Sequence, residues 1–388
     1  MSRLRIAYLP ASLNPGGAER QMLSLAERLP RDRFEVEFVV LSGSGIYDDR
    51  ARAAGVRIRS AGQAPAPGAS VPARIWHRAS KSLRYAAVVR AGHYDIVDAW
   101  LYPADVLAAL MRPITRTPVI VTGQRNVDPQ HFFGPLERRV ASLVGRLTDV
   151  VVANSEAAAE HAVKVGGVDL AKIRIIRNGV VVGAPASASE RIASRRGLGV
   201  SDPDTVVVGC VANFLPVKRH DLLLDAFAPL AAEGLPVSLV LIGDGPLRPA
   251  IELRIRELGL SGVVRLHGSE PNPEPLYAGF DLVVQASERE GLPNALLEAG
   301  AAGRPMIATT AGGSGEIVLD GRTGLLVPIG DRDGLTGALR RLVVDAGLRE
   351  RLGRDARDHV ATTFGMNRFV SEFAALYESL AEARRRSP

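Results

Sequence analysis

The feature that most constrains this chain is alternation. Short apolar runs recur along it, and most are separated by stretches with helical spacing. Runs at 4–9, 34–41, 56–59, 94–98, 118–122, 149–153 and 173–176 read as strands, and a second series falls at 205–211, 238–242, 263–267, 281–285 and 325–327. Strand–helix repetition is how a parallel sheet is wound, because parallel neighbours need a crossover long enough to bring the chain back to the same end. The expected class is therefore α/β. At 388 residues the chain suits two domains, each burying its own core. The break falls in 182–203, rich in Ala, Ser, Gly and Pro, which reads as a linker and lead-in. The expected organisation is a first Rossmann-like domain over 1–184, a second over 185–365, and a last helix over 366–388.

Composition narrows the function classes. Lys+Arg number 48 against 42 Asp+Glu, a net charge of +6, too mild an excess to call for nucleic acid. Cys210 is the sole cysteine, so no intrachain disulfide forms, as in a reducing compartment. The N-terminal apolar run is too short for a signal peptide, and no apolar stretch reaches the length of a membrane span. A cytoplasmic protein is expected.

One stretch concentrates candidate chemistry: Ser287-Glu-Arg-Glu290-Gly-Leu-Pro-Asn-Ala-Leu-Leu-Glu298-Ala-Gly, followed by Gly312-Gly-Ser-Gly-Glu316. It leaves the strand at 281–285 and enters a short helix over 293–303, so Glu290 stands on the corner and Glu298 inside the helix. At about 1.5 Å per residue, eight positions separate the two backbone sites by roughly 12 Å. Glycosidase carboxyls lie about 5 to 9.5 Å apart. The wider spacing suits a grip on two ends of one elongated, hydroxyl-rich ligand. Ala295, Leu296, Leu297, Ala299, Ala301 and Ala302 surround Glu298, and a carboxylate in such company needs a partner. The competing reading, a solvated glutamate on a surface helix, stays open at this point. Elsewhere, Gly16 and Gly17 follow the first strand in neither dinucleotide nor P-loop spacing, and a glycine pair in a loop is more often a plain turn. Lys218 stands near a helix N-terminus, where a cation is unfavourable unless an anion balances it.

The Glu290–Glu298 stretch resembles the Glu-x7-Glu motif of retaining glycosyltransferases of family 4, which have the GT-B fold. The resemblance runs on through Arg304-Pro-Met-Ile-Ala-Thr and Gly312-Gly-Ser-Gly-Glu316 to Asp320-Gly-Arg-Thr-Gly-Leu-Leu-Val-Pro328, and is weakest over 59–90. It implies two doubly wound parallel-sheet domains facing a cleft, a nucleoside diphosphate sugar (UDP- or GDP-linked) as donor, and no cofactor or metal. It further implies that Glu290 contacts the donor sugar and Glu298 its ribose, with Gly291, Leu292, Pro293 and Asn294 beside them. Gly-Gly-Ala-Glu-Arg after the first strand is similar to the family's glycine loop, which assigns Gly16 and Gly17 to the donor side. Lys218 matches the lysine of an Arg–Lys pair that holds the diphosphate, but Asn213 replaces the arginine, and Arg219 is left to supply part of that charge. Gly243 lies in a turn similar to the nucleotide-side loop. Where relatives place a histidine, this chain has Gln124, Arg125 and Asn126; Arg125 and Asn126 are assigned to the acceptor, Arg125 as a grip on an anionic group. His131 is not promoted. The last helix is expected to cross back onto the first domain.

The stretch from Arg74 to Arg90 has five basic residues and no acid, with Ile75, Trp76, Ala79 and Leu83 as an apolar flank. A solvated face over a packed Trp is one reading. The other is peripheral contact with the inner face of an anionic membrane, where a lipid-linked hydroxyl acceptor would be met. Asp202-Pro-Asp204 and Asp331-Arg-Asp333 resemble metal-binding Asp-x-Asp but stand in turns and read as structural. No His/Cys cluster has metal spacing. A sugar-nucleotide epimerase of the same fold and a noncatalytic sugar-nucleotide binder remain alternatives to a transferase.

Overall fold

The computed structural model describes residues 3–14, 16–41, 43–62, 70–127 and 135–386. His131 and the 63–69 part of the Ala/Pro/Gly-rich loop lie outside the described residues, as do the side chains of 71–79, Ile75 and Trp76 among them. The chain divides into two units: unit 1 is Met1–Asn178 with Asn367–Pro388, and unit 2 is Gly179–Met366.

Unit 1 runs β1 (Leu4–Leu9), α1 (Gly17–Arg28), β2 (Phe34–Val40), α2 (Asp48–Ala53), β3 (Arg57–Ser60), α3 (Val71–Gly92) and β4 (Ile96–Ala99). It continues with α4 (Tyr102–Thr115), β5 (Val119–Gln124), α5 (Pro135–Leu147), β6 (Val150–Ala153), α6 (Glu156–Lys164) and β7 (Ile173–Ile175). Its seven strands are ordered β3-β2-β1-β4-β5-β6-β7 and every pairing is parallel. Strands such as β4 and β6 are buried at each position, which is why they are continuous apolar runs rather than alternating ones. Ser155 caps α6 by accepting from the Ala158 N–H at 3.1 Å. The basic helix is α3; its C-terminal half sends Tyr85 and Val89 into the core, while Leu83 is 64% exposed.

Unit 2 runs α7 (Ala188–Gly197), β8 (Val206–Val211), α8 (His220–Ala232), β9 (Val237–Ile242), α9 (Arg248–Glu257), β10 (Val264–Gly268) and β11 (Leu282–Gln285). Then come α10 (Asn294–Ala301), β12 (Met306–Thr309), α11 (Ser314–Ile317), β13 (Gly324–Val327), α12 (Arg332–Val344) and α13 (Ala346–Thr363). The six strands are ordered β10-β9-β8-β11-β12-β13, again all parallel. One face of the sheet packs Leu223, Phe227 and Leu230 of α8 with Leu339 and Leu342 of α12; the other packs Phe280 with Leu296 and Leu297 of α10 and Val360 of α13. In both units the order reverses beside the first strand, and in such sheets ligands bind outside the carboxyl ends of the strands at that reversal. In unit 2 the reversal lies between β8 and β11.

Two boundaries differ from the sequence reading. Residues 179–184 belong with unit 2, because the Val180 N–H donates to Phe364 O at 2.9 Å and Val180 O accepts from the Met366 N–H at 3.0 Å. The expected linker contains α7, whose start is a capping box: Ser187 accepts from the Glu190 N–H, and the Glu190 carboxylate from the Ser187 N–H. The last helix, α14 (Met366–Arg386), packs within unit 1. There Phe373 stacks on Trp100 at 5.5 Å and the Tyr377 hydroxyl donates to Asp98 at 2.6 Å.

Candidate functional site

The loops that leave β8 and β11 meet at the reversal point of unit 2. After β8 the chain makes a short 3-10 turn over Pro216–Lys218, and Arg219 takes a left-handed conformation (φ +50) that launches α8. The Glu288 N–H donates to Val217 O at 2.8 Å, tying the β11 loop to this turn. Lys218 Nζ then reaches Glu290 Oε1 at 2.6 Å, and Ser287 Oγ donates to the same oxygen at 2.6 Å. Lys218 thus has the counter-charge its position calls for. Glu290 is buried, and its carboxylate is held by an ammonium and a hydroxyl at once, which removes most of its rotamer freedom. Ser287 is itself fixed: its carbonyl accepts from the Thr309 hydroxyl at the end of β12.

Gly312 closes the back of this corner. Its φ is +50, and a Cβ there would stand 1.8 Å from Glu290 O, so only glycine allows the chain to pass. The next residue, Gly313, donates its N–H to Gly291 O at 2.8 Å. Gly243 (φ +146) is buried in a similar position at the end of β9, where a Cβ would meet Ala212 O at 2.0 Å.

Glu298 has different surroundings from Glu290. It is buried on α10, its Oε2 accepts from the Tyr277 hydroxyl at 2.9 Å, and it lines a cavity of about 600 Å³ with the 180–186 segment, α7 and Leu276. The solvated-glutamate reading is thereby set aside. Because Glu290 lies before α10, in the loop, the helical rise does not apply across the whole Glu290–Glu298 interval.

Other assigned residues fall as follows. Gly291, Leu292 and Pro293 are buried, and the Leu292 side chain belongs to the core beside Leu296. Asn294 is half-buried at the first position of α10. Asn213 is exposed. Arg219 pairs with Asp221 at 3.0 Å, which offsets much of the charge it was expected to lend. Gly16, in extended backbone, precedes α1, and Gly17 is exposed at its first position. Asp202 holds a turn through Thr205, and Asp331 caps α12 through the Gly334 N–H at 2.8 Å, both structural as expected.

Arg125 corrects the sequence reading. It is buried in unit 1, its guanidinium centred 3.6 Å over the Trp100 ring with Nη1 donating to Asn178 Oδ1 at 2.9 Å. Burial pulls its pKa down to about 10, against the charges of Asp98, Tyr377 and Asp105 that hold it up. This is an interior cation knitting β4, β5 and α14, not a surface grip on an acceptor anion. The reason is Trp100: its large face after β4 covers the guanidinium. Asn126, one residue on, is exposed.

Sequence reasoning missed Ser287 and Tyr277 as partners of the two glutamates, and Thr309 as the partner of Ser287. Ser287 was within reach, three residues before Glu290; Tyr277, twenty-one residues before Glu298, carries no local signal.

Comparison with known proteins agrees with this fold. Residues 15–183 match the family described as Glycosyltransferase Family 4, and residues 205–345 match Glycosyl transferases group 1. The chain belongs to glycosyltransferase family 4. This glycosyltransferase is 27% identical to a D-inositol 3-phosphate glycosyltransferase of Kribbella flavida, over 96% of its own chain and 93% of the relative's. It is also 27% identical to the lipopolysaccharide core biosynthesis glycosyltransferase LpsE of Rhizobium meliloti, over 94% and 96%. Its GT-B fold is shared with Anabaena HepE, solved in complex with UDP and glucose, at a TM-score of 0.85 and 23% identity over 97% of this chain and 100% of that one.

Proposed function

We propose that this glycosyltransferase moves a hexose or hexose derivative from a UDP- or GDP-sugar to a hydroxyl of a glycolipid, polysaccharide or small acceptor, with retention and without a metal ion. The observation that carries the reading is the convergence of Lys218 and Ser287 on one oxygen of Glu290, at the strand-order reversal of unit 2. Unit 2 is assigned the donor and unit 1 the acceptor. The C1–O bond to the diphosphate breaks, with the electron pair leaving on the diphosphate. The acceptor oxygen attacks C1 from the same face and gives its proton to the departing diphosphate oxygen. Lys218 stabilises the charge that grows on that leaving group, the task a metal performs elsewhere. Glu290, held rigid by its two partners, orients the sugar hydroxyls, and Glu298 holds the ribose. Support for a UDP-sugar comes from HepE, also solved with UDP-glucose, and for a small acceptor from the inositol phosphate named for the Kribbella relative.

The test incubates the protein with labelled UDP- and GDP-sugars, with and without acceptor mixtures. Acceptor-dependent release of nucleotide supports transfer. A changed sugar nucleotide released without acceptor makes the protein an epimerase, and saturable binding without turnover makes it a binder. An inverted anomer by NMR overturns retention, and turnover lost in EDTA overturns metal independence. Glu298→Ala should weaken free UDP or GDP at least tenfold by calorimetry; unchanged affinity removes it from the ribose.

A further inference from the structure

At the other end of the unit 2 sheet, where β11 and β12 begin, lies a second cavity of about 520 Å³. Lys218 and Glu290 follow the carboxyl ends of their strands; this cavity borders the amino ends. Five arginines line it, Arg191, Arg304, Arg349, Arg354 and Arg357, against two carboxylates, Asp281 and Glu350. We propose that this cavity is a second anion site, taking a phosphate monoester or diphosphate group, either free or as a lipid headgroup.

How the arginines are held carries the argument. Arg349 donates to the carbonyls of Leu342 and Val343 at 2.7 and 2.8 Å, and Arg357 to those of Ala301, at 2.7 Å, and Gly183. Neutral carbonyls fix these forks in place without cancelling their charge. Asp281 is already saturated: Arg191 and Arg195 bind its two oxygens at 3.1 and 3.0 Å, and the Val207 N–H adds 2.8 Å. Arg354 is exposed at the rim. Arg304 is the decisive member. It is only 9% exposed, its Nη2 donates to Ala278 O at 3.2 Å, and its Nε has no hydrogen-bond partner. The Nε is itself sealed from solvent, so what Arg304 offers an oxyanion in the cavity is its buried positive charge and the rest of a fork whose geometry matches such a group. Burial and the charge of Arg191 pull the Arg304 pKa down to about 10, and the nearby Asp281 carboxylate offsets only part of that.

Calorimetry in low salt with inorganic pyrophosphate tests the site, in a Lys218→Ala background so that the Lys218–Glu290 corner contributes less. Pyrophosphate should bind this variant, and adding Arg354→Glu should weaken it at least tenfold with the melting temperature unchanged. Arg304→Gln should do the same by removing the fork; if it fails to fold, the exposed Arg354→Glu decides alone. Vesicles of phosphatidylcholine, with and without phosphatidic acid, separate the sources. Flotation with phosphatidic acid that Arg354→Glu abolishes identifies a lipid headgroup, and pyrophosphate binding without flotation identifies a free phosphate. Binding of neither probe, or binding that Arg354→Glu leaves intact, overturns the proposal.

Discussion

Lys218 and His220 stand two residues apart and illustrate opposite uses of a base. Lys218 remains partly accessible, with 21% of its side chain exposed, and is balanced by Glu290. Replacing it with alanine leaves a buried carboxylate with Ser287 alone, at a cost of about 1–3 kcal/mol. The larger effect is on chemistry. Lys218→Ala should lower kcat by about 10²–10³-fold, the usual range for losing one preorganised charge at a leaving group. Steady-state rates with thermal melts check it, and near-normal turnover would remove Lys218 from the site. His220 lies edge-on to Phe214 at 4.9 Å, and burial, followed by the charge of Lys218, pushes its pKa from 6.5 down to about 4. A base with a depressed folded pKa contributes stability that is complete above 6.5 and lost as pH falls toward 4, about 3 kcal/mol in all. His220→Phe should flatten that acid limb in melts run from pH 7 to pH 4; an unchanged slope contradicts the assignment. Asp98 has the opposite sign, since burial raises its pKa to about 6, so the difference between variant and parent is the quantity to read. Cys210 takes no part in this titration: burial pushes its thiol up to about 12.

Among elements, the loop before α11 sets how well Glu290 is placed. A left-handed Gly312 pressed on Glu290 O means that any side chain there displaces the backbone of the Glu290 corner itself, rather than a flexible neighbour. Gly312→Ala should destabilise unit 2 by about 1–3 kcal/mol. It should also weaken nucleotide binding tenfold or more, because Glu290 and Gly291 move together. Calorimetry with UDP and thermal melts check both; parental values in each would show that the contact is not tight. α7 makes a related point. Its capping box was present in the letters of 187–190, yet the Ala, Ser and Gly around it masked a helix that lines the Glu298 cavity.

For the whole molecule, the controlling fact is that α14 leaves unit 2 and completes unit 1. Phe369, Phe373 and Tyr377 cluster with Trp100 and Tyr8, and Arg33 pairs with Glu378. Losing three such aromatics costs about 3–5 kcal/mol each, against roughly 5–15 kcal/mol for a whole domain. Ending the chain after Met366 should therefore melt unit 1 at low temperature. Unit 2, with Val180 and Met366 already joined, should keep its own transition. Scanning calorimetry should show two separated events, and one parental event contradicts the claim.

The sequence by itself determined the strand–helix alternation, the two-sheet class, the Ser155 cap and the candidate pair Glu290 and Glu298, because periodicity, capping and motif spacing are local properties of a chain. It also carried the family. Only the tertiary structure decided that Lys218 and Ser287 share one oxygen of Glu290, that Tyr277 answers Glu298, and that Arg125 is sealed beneath Trp100. It alone gathered five arginines from positions 191 to 357 around one cavity. The physical reason is common to all four: burial and charge pairing depend on which side chains meet across the fold, and residue order records their kinds but not their encounters.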